Sequence, residues 1–273
     1  MIELREAGPS DADAIRALRD RCFPDDDPEK FFPRGPAFVA ADDARIVAHL
    51  ALLEQKYVIR GIRTPAFLAV DAMTDPDYRG RGLFTRVAAF TRDHLGGRLS
   101  VAWQIRKVVL PAMMRTGWMP RLRAPVLIRP LVFGKPDSSV RVISPQSTFD
   151  FFAKSEAYEE RTPAWMRERY RNCEVLGNDD AFLATRRVPL RGIDTLAIVD
   201  IAWRDVRAAR AVLRHALACA RTRLAATLVT TAHPAFGFFL RHGFVPGPHW
   251  FRFLVNGSVD ARWALSWADT DHV

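Results

Sequence analysis

One short segment of the sequence combines glycines and arginines at a spacing that suits an anionic ligand. Residues 75–84 read DPDYRGRGLF and lie between a strand-like run and a helical run. Gly80 and Gly82 lack Cβ atoms, so the backbone there can turn sharply and approach a ligand closely. The helix that follows presents unpaired N–H groups and the positive end of its dipole, and Arg79 and Arg81 add fixed positive charge. This combination predicts a site for a pyrophosphate group.

The same residues exclude two common phosphate loops and leave a plainer alternative open. No Gly-Lys-Ser/Thr follows the turn, so it is not a Walker loop, and its spacing differs from the dinucleotide motif Gly-x-Gly-x-x-Gly. An RNA-binding Arg-Gly tract needs repeats, whereas the sequence contains one copy. The alternative is a basic surface turn that binds nothing. The strand–turn–helix context favours the phosphate site because it supplies the helix N-terminus.

The elements around this turn predict an α/β structure. The nearly continuous apolar run Ala66–Thr74 predicts a strand that ends before Pro76, and apolar residues from Leu83 to Leu95 recur at helical spacing. Ala37–Ala41 and Arg45–Gln55 predict a hairpin. Further predicted strands are Ile2–Arg5, Ser100–Gln104, Pro125–Arg129, Ala181–Arg187, Thr195–Trp203, Ala226–Thr231 and His249–Val255. Further predicted helices are Pro111–Thr116, Phe149–Ala157, Ala164–Arg171, Asp205–Thr222 and Pro234–His242, and one that begins at Ser10.

The two halves of the chain share short similarities that predict two related lobes. The matching pairs are FLAVD at 67–71 with LAIVD at 196–200, and RTGWMP at 115–120 with RHGFVP at 241–246. Each copy of the second motif follows a Pro-Ala helix and precedes the last strand of its half. We therefore predict one domain at residues 1–130, a linker at 131–147 that is rich in Pro, Gly, Ser and charge, and a second domain at 148–273.

Composition excludes several classes of protein. The chain has 273 residues, of which 49% are hydrophobic and 26% charged, so it can bury a core and is not disordered. No run approaches the ~20 apolar residues of a membrane span, the N-terminus is unlike a signal peptide, and three widely spaced cysteines form no disulfide framework. We expect a cytoplasmic protein with no membrane partner. The net charge is +9, but the arginines are spread along the chain and the seven histidines lack ligand spacing, so neither nucleic acid nor metal is expected.

Together these features resemble the GNAT superfamily of N-acyltransferases, which move an acyl group from acyl-coenzyme A to an amine. The segment around the turn resembles the family's central strand, pyrophosphate loop and following helix, with the loop pattern Arg/Gln-x-x-Gly-x-Gly/Ala. Arg79 and Gly82 fit this pattern, whereas Phe84 stands where a small residue is usual. Residues 4–12 resemble the family's first strand and helix, and residues 115–118 resemble its late helix, which ends in Gly-Phe.

The resemblance implies two GNAT-like lobes, each a mixed, mostly antiparallel sheet flanked by helices, with the second lobe degenerate. It implies acetyl-CoA as the cosubstrate, with backbone groups of Met73 and Thr74 paired to its pantetheine arm at a splayed sheet. The residues implied for the pyrophosphate are Arg79, Gly80, Arg81, Gly82, Leu83 and Phe84, with Thr85 nearby. Because Asp200 in the second lobe is not followed by such a turn, the resemblance implies one coenzyme A site, in the first lobe.

For the chemistry, the resemblance implies direct attack of a neutral amine on the thioester. An ammonium of pKa near ~10 must first lose a proton, often to a carboxylate or a water chain, and a backbone N–H can polarise the thioester oxygen. The leading candidates for the base are Asp71, set inside an apolar strand where an unpaired charge is costly, and Glu54 on the preceding strand. A purely structural role for Asp71 is the alternative. Further candidates are Asp200, Asp269 and Asp271.

One position departs from the family's usual chemistry. The usual acid is a Tyr four residues before the closing glycine of the late helix, and this position is Met113 here and Phe239 in the second lobe. Neither side chain can donate a proton. The sequence therefore predicts an N-acyltransferase, most simply an acetyltransferase, that acts on a primary amine of a small molecule. The alternatives are a catalytically silent acyl-CoA sensor and an acyltransferase that takes its acyl group from an acyl carrier protein; we expect a monomer or homodimer.

Overall fold

The computed structural model describes residues 1–24, 35–103, 109–131 and 134–270. The chain divides into two compact units, each assembled from three segments. Unit 1 comprises Met1–Gln55, Pro65–Arg121 and Arg252–Val259, and unit 2 comprises Lys56–Thr64, Leu122–Phe251 and Asp260–Val273. The domain boundaries predicted from the sequence are continuous along the chain, and they stay a prediction.

The secondary structure is numbered in chain order. The strands are β1 (Ile2–Glu6), β2 (Ala37–Asp42), β3 (Arg45–Ile59), β4 (Ile62–Thr74), β5 (Ser100–Trp103), β6 (Met119–Pro130), β7 (Arg141–Val142), β8 (Ala157–Glu159), β9 (Glu174–Asn178), β10 (Ala181–Leu190), β11 (Ile193–Trp203), β12 (Leu224–Leu228) and β13 (Val245–Asn256). The α-helices are α1 (Ala12–Cys22), α2 (Leu83–Leu95), α3 (Leu110–Arg115), α4 (Pro163–Arg169), α5 (Val206–Cys219) and α6 (Phe236–Arg241). Within the described residues, no helix has the length and apolar character that crossing a membrane requires.

Unit 1 is built on a sheet in which β1, β2, β3, β4 and β5 are successive hydrogen-bonded neighbours. β2 is antiparallel to both β1 and β3. β4 and β5 are parallel, and α2 forms the crossover connection that a parallel pair of consecutive strands requires. Helix α2 packs Leu83, Val87 and Leu95 into a core that also contains Phe38 and Trp118. The predicted helix is thus confirmed, and its first residue, Leu83, closes the glycine-containing turn.

In unit 2 the hydrogen-bonded strand order is β6-β12-β11-β10-β9-β7. β11 and β12 are parallel, with α5 between them in the chain, and the other neighbours in this order are antiparallel. Helix α5 buries Leu213 in a core with Ile198, Phe238 and Phe244. A mixed, mostly antiparallel sheet flanked by helices is therefore confirmed as the fold class.

One predicted helix is wrong. Residues 149–154, part of the predicted helix Phe149–Ala157, form turns, and Ala157 begins β8. Phe149 and Asp150 both have a φ of +54°, a left-handed conformation that a right-handed helix cannot contain. The apolar spacing reflects contacts of these rings instead, since Phe149 packs against Phe182. Gln104, the last residue of the predicted strand Ser100–Gln104, lies outside the described residues.

The final described residues run through the interior of unit 2. All eight residues of 263–270 are buried, although only three of them form a short 3-10 turn. The N–H of Thr230 donates to the carbonyl of Leu265 (2.9 Å), whose own N–H donates to Thr230 Oγ1 (3.1 Å). The N–H of Ala264 donates to the carbonyl of Ala157 (2.7 Å). These bonds satisfy backbone groups that burial would otherwise leave without water.

Candidate active site

The turn between β4 and α2 has open space over its glycines. Gly80 has a φ of +79° and Gly82 a φ of +71°, left-handed values that glycine adopts without strain. Within the described parts of the chain, a Cβ built on either glycine meets no other atom within 4 Å apart from its chain neighbours. Backbone conformation, not crowding, therefore requires glycine at both positions, and the space above the turn is open to a ligand.

Helix α2 begins with backbone donors that no side chain caps. Its N-cap residue is Gly82, which has no side chain that could accept a hydrogen bond. The first bond of the helix runs from the Arg86 N–H to the Gly82 carbonyl (3.1 Å), so the N–H groups of Leu83, Phe84 and Thr85 precede the helical ladder. These donors lie at the positive end of a 13-residue helix, an arrangement that suits the oxygens of a diphosphate.

Two arginines alternate with the glycines, and a backbone carbonyl accepts a hydrogen bond from each. Arg79 Nε donates to the carbonyl of Thr74 (3.2 Å), and Arg81 Nη2 donates to the carbonyl of Asp77 (3.1 Å). Each bond occupies one of the five N–H donors of its guanidinium. Both side chains are exposed. The turn therefore carries two oriented cations beside the uncapped helix N-terminus.

A buried carboxylate fixes the start of the turn. Asp75, the residue after β4, is only 1% exposed, and its backbone N–H donates to the carbonyl of Val47 in β3 (2.9 Å). Asp75 Oδ1 accepts from Arg21 Nη2 (3.0 Å) and the Asp77 N–H (3.0 Å), and Oδ2 accepts from Arg45 Nη2 (2.6 Å). The sequence signals only the local cap, Asp75 followed by Pro76, because the arginines lie far away along the chain.

The ring of Tyr78 packs against the guanidinium of Arg81. Its hydroxyl donates to Asp42 Oδ2 (2.9 Å), a bond that lowers the pKa of the Asp42 carboxyl and raises the pKa of the phenol. The guanidinium of Arg81 lies 4.8 Å from the centre of the Tyr78 ring, and that of Arg45 lies 5.3 Å from it. Cation–π contact at these distances restrains the orientation of Arg81.

The end of β4 extends beyond its described pairing with β5. Parallel pairs join Phe67 to Ser100 and Leu68 to Val101, and β4 continues to Thr74. Ala102 and Trp103 of β5 pair with Leu254 and Phe253 of the last strand, and the described pairing of β4 with β5 includes neither of them. This geometry agrees with a splay between β4 and β5, but the pairing of Met73 and Thr74 with a pantetheine arm stays a prediction.

The residues predicted for the coenzyme A site differ in their burial. Leu83 is buried in the core and Met73 is also buried, so each can offer a ligand its backbone only. Phe84 and Thr85 are half-buried. The Thr74 carbonyl accepts from Cys22 Sγ (3.4 Å) as well as from Arg79. Burial is the main cause that raises the pKa of the Cys22 thiol, which keeps it protonated as this donor.

Asp71, the first candidate base, interrupts β4. It is half-buried and has a φ of +49°, which is rare for a residue other than glycine and marks a local distortion of the strand. Its carbonyl accepts from His49 Nδ1 (2.8 Å), which fixes the Nδ1–H tautomer of that imidazole because a carbonyl can only accept. Glu54, the second candidate, is exposed on β3. Neither role is tested by these contacts, and both stay predictions.

The remaining candidates lie in structural surroundings. Met113 is 1% exposed within the core of unit 1, and Phe239 is buried in the core of unit 2. Asp200 and Asp269 are buried in unit 2, where both bind Arg161 at 2.9 Å. Asp271 lies outside the described residues.

His49 gives unit 1 a predicted sensitivity to acid. Burial lowers the pKa of its imidazole to about 4, whereas the unfolded chain titrates near ~6.5. Between these values the unfolded state binds the extra proton, so the free energy of unfolding falls as the pH drops, by about 1.4 kcal/mol per pH unit. We expect His49→Asn, which keeps a donor for the Asp71 carbonyl, to reduce this slope by about one proton in urea titrations from pH 6.5 to 4. An unchanged slope would contradict this assignment.

Fold and turn together define a class of protein. A sheet whose fourth strand leads through an arginine-flanked glycine turn into an uncapped helix N-terminus is the arrangement predicted above for a GNAT acyltransferase. Among the residues that the structure describes, no group of three or more His, Cys, Asp or Glu side chains is placed to hold a metal ion.

Comparison with known proteins agrees with this class. Residues 3–102 match the model of the acetyltransferase (GNAT) domain family. The GCN5-related N-acetyltransferase from Anabaena variabilis is 14% identical with a TM-score of 0.72, and the match covers 93% of this chain and 72% of that one. The GCN5-related N-acetyltransferase from Kribbella flavida is 15% identical with a TM-score of 0.71, and the match covers 93% of this chain and 70% of that one. A probable N-acyltransferase from Enterococcus faecalis is 10% identical with a TM-score of 0.66, and the match covers 93% of this chain and 72% of that one. No curated protein matches the sequence.

Residues 3–102 therefore match the GNAT acetyltransferase domain family, and nearly the whole chain shares the fold of the GCN5-related N-acetyltransferases named above. The prediction of a GNAT-type acetyltransferase is confirmed at the level of this class.

Proposed function

We propose that the protein transfers an acetyl group from acetyl-CoA to a primary amine of a small molecule, using one coenzyme A site in unit 1. The observation that carries the proposal is the turn at residues 79–85. There, two left-handed glycines leave open space beside three uncapped N–H groups and two arginines. Diphosphate is the part of coenzyme A that this combination of donors and charge fits.

The chemistry we propose is direct transfer. The neutral amine attacks the thioester carbonyl carbon, the new C–N bond forms, and the C–S bond breaks as the thiolate of coenzyme A leaves. The attacking nitrogen gives up one proton to water in this step, so that a neutral amide remains. The proton that the ammonium loses beforehand passes to Asp71, to Glu54 or to water. Met113 cannot supply a proton to the thiolate, so water does so, which is sufficient because a thiolate is a good leaving group.

The deciding experiment measures binding and turnover separately. We expect isothermal titration calorimetry to show binding of coenzyme A and acetyl-CoA, and a thiol-detecting assay with a panel of primary amines to show release of free coenzyme A. Pantetheine, which lacks the diphosphate, serves as the control ligand and should bind much more weakly. Absence of any heat with coenzyme A would overturn the proposal.

The residue at position 113 supports one alternative function, a catalytically silent acyl-CoA sensor. Because the usual acid is absent and this side chain is buried in the core, a silent acyl-CoA sensor would have the same binding site without turnover. Tight binding of acetyl-CoA with no thiol release for any amine would favour that sensor. Turnover with an acylated carrier protein but not with acetyl-CoA would instead favour the carrier-protein donor.

A further inference from the structure

One side chain, Asp75, attaches the turn to two separate elements, α1 and β3. Arg21 comes from α1, Arg45 begins β3, and both guanidinium groups bind the Asp75 carboxylate at the end of β4. A third bond comes from the N–H of Asp77, inside the turn itself. Bonds from charged donors to a carboxylate are among the strongest hydrogen bonds in proteins, and this carboxylate is almost fully buried. Asp75 is therefore the point at which the turn is anchored to unit 1.

We propose that Asp75 is a positioning residue that sets the direction of the glycine turn and thereby the affinity for the diphosphate of coenzyme A. The inference rests on the proposed function and adds to it a residue that touches no ligand. The chain leaves β4 at Asp75 and reaches Gly80 five residues later, so a change in its exit direction displaces Gly80, Gly82 and the helix N-terminus together. In well-oriented active sites a misplacement of about 1 Å can cost on the order of a hundredfold in rate, and hydrogen-bond donors displaced from the diphosphate lose interaction energy for the same geometric reason.

Asp77 provides a matched comparison within the same cluster. It binds the same two arginines, Arg21 at 2.7 Å and Arg45 at 3.4 Å, and these bonds, first that of Arg21, lower the pKa of its carboxyl. Its side chain is 66% exposed, however, and it caps no backbone N–H within the turn in the described contacts. Asp75→Asn and Asp77→Asn therefore each remove one negative charge, two residues apart. Only Asp75→Asn removes the buried carboxylate that holds the turn to Arg21 and Arg45.

The sign of the effect separates positioning from electrostatics. Removing a negative charge close to an anion site strengthens anion binding by Coulomb attraction. If Asp75 acted through its charge alone, Asp75→Asn would bind coenzyme A more tightly. Positioning predicts the opposite, a Kd for coenzyme A at least about tenfold higher. For Asp77→Asn we expect a Kd that is unchanged or slightly lower.

The test is calorimetry with coenzyme A and with pantetheine on the full chain and its variants, together with steady-state kinetics. In Asp75→Asn the Kd for coenzyme A rises, the weaker affinity for pantetheine stays constant, and the KM for acetyl-CoA rises while kcat at saturation is retained. Should Asp75→Asn fail to fold, Arg45→Lys keeps the net charge but loses the planar fork, and its Kd rises in the same direction.

The outcomes distinguish the two proposals. A wild-type protein that binds no coenzyme A would overturn the proposed function, and the role of Asp75 with it. Wild-type binding with an equal or lower Kd in Asp75→Asn would overturn the positioning role alone. So would an equal loss of affinity in Asp75→Asn and Asp77→Asn.

Discussion

The double substitution Arg79→Ala/Arg81→Ala is expected to raise the Kd of coenzyme A at least about a hundredfold. Each guanidinium retains donors beyond the one that binds the carbonyl of Thr74 or Asp77, and both arginines belong to the turn that leads into the uncapped N-terminus of α2. A hydrogen bond to a charged group contributes about 1.5–3 kcal/mol, so two of them contribute about 3 kcal/mol or more. Isothermal titration calorimetry measures the loss directly.

A second double variant controls for net charge. Arg16→Ala/Arg92→Ala removes the same two charges from unit 1, but these arginines form exposed ion pairs with Asp13 and Asp93 on α1 and α2. We expect its Kd to change less than about threefold at 0.15 M salt, where charges more than ~8 Å apart are largely screened. Equal losses in the two double variants would mean that the turn acts only through net charge, and unchanged affinity in the first would refute the loop assignment.

The local part of this site could be predicted from the sequence because its signals are local. The apolar run that ends at Thr74, the two glycines and the helical period from Leu83 lie within some thirty consecutive residues, so strand, turn and helix are all found where they are predicted. The left-handed φ of Gly80 and Gly82 is likewise a property of single residues. The same logic fails at Phe149, where apolar spacing reflects ring packing and a left-handed backbone breaks the helix.

The anchoring of the turn could not be predicted, because it depends on which distant residues the fold brings together. Asp75 meets Arg21 across 54 residues and Arg45 across 30, in a chain with 40 basic side chains. Composition gives no means of choosing among so many cations. The three-segment make-up of each unit is hidden for the same reason, since β3 and β13 each pass from one unit into the other along the chain. Long-range pairing of this kind leaves no periodicity in the sequence.

The substitution Arg161→Leu is expected to lower the stability of unit 2 by about 3–5 kcal/mol. Arg161 is buried, and it binds Asp200 Oδ2 (2.9 Å), Asp269 Oδ2 (2.9 Å), Ser266 Oγ (3.1 Å) and the Glu159 carbonyl (2.9 Å). Burial by itself would lower the pKa of this guanidinium, but the charges of Asp200 and Asp269 raise it above its usual value, so Arg161 stays charged. Leucine would leave both carboxylates buried without their cation, which costs more than the ion pair itself contributes.

Segment-resolved hydrogen exchange, with the thermal midpoint as a second measurement, tests this prediction. We expect faster exchange in residues 263–270, because Asp269 and Ser266 hold this buried segment to Arg161. Arg204→Leu is the control in the same unit, since its side chain is 69% exposed and its pair with Asp180 spans 3.5 Å; a surface pair of this kind contributes about 1 kcal/mol or less. Arg161→Lys should fall between the two, because it keeps the charge but cannot reach four acceptors with a planar fork. Equal midpoints for Arg161→Leu and Arg204→Leu would contradict the prediction.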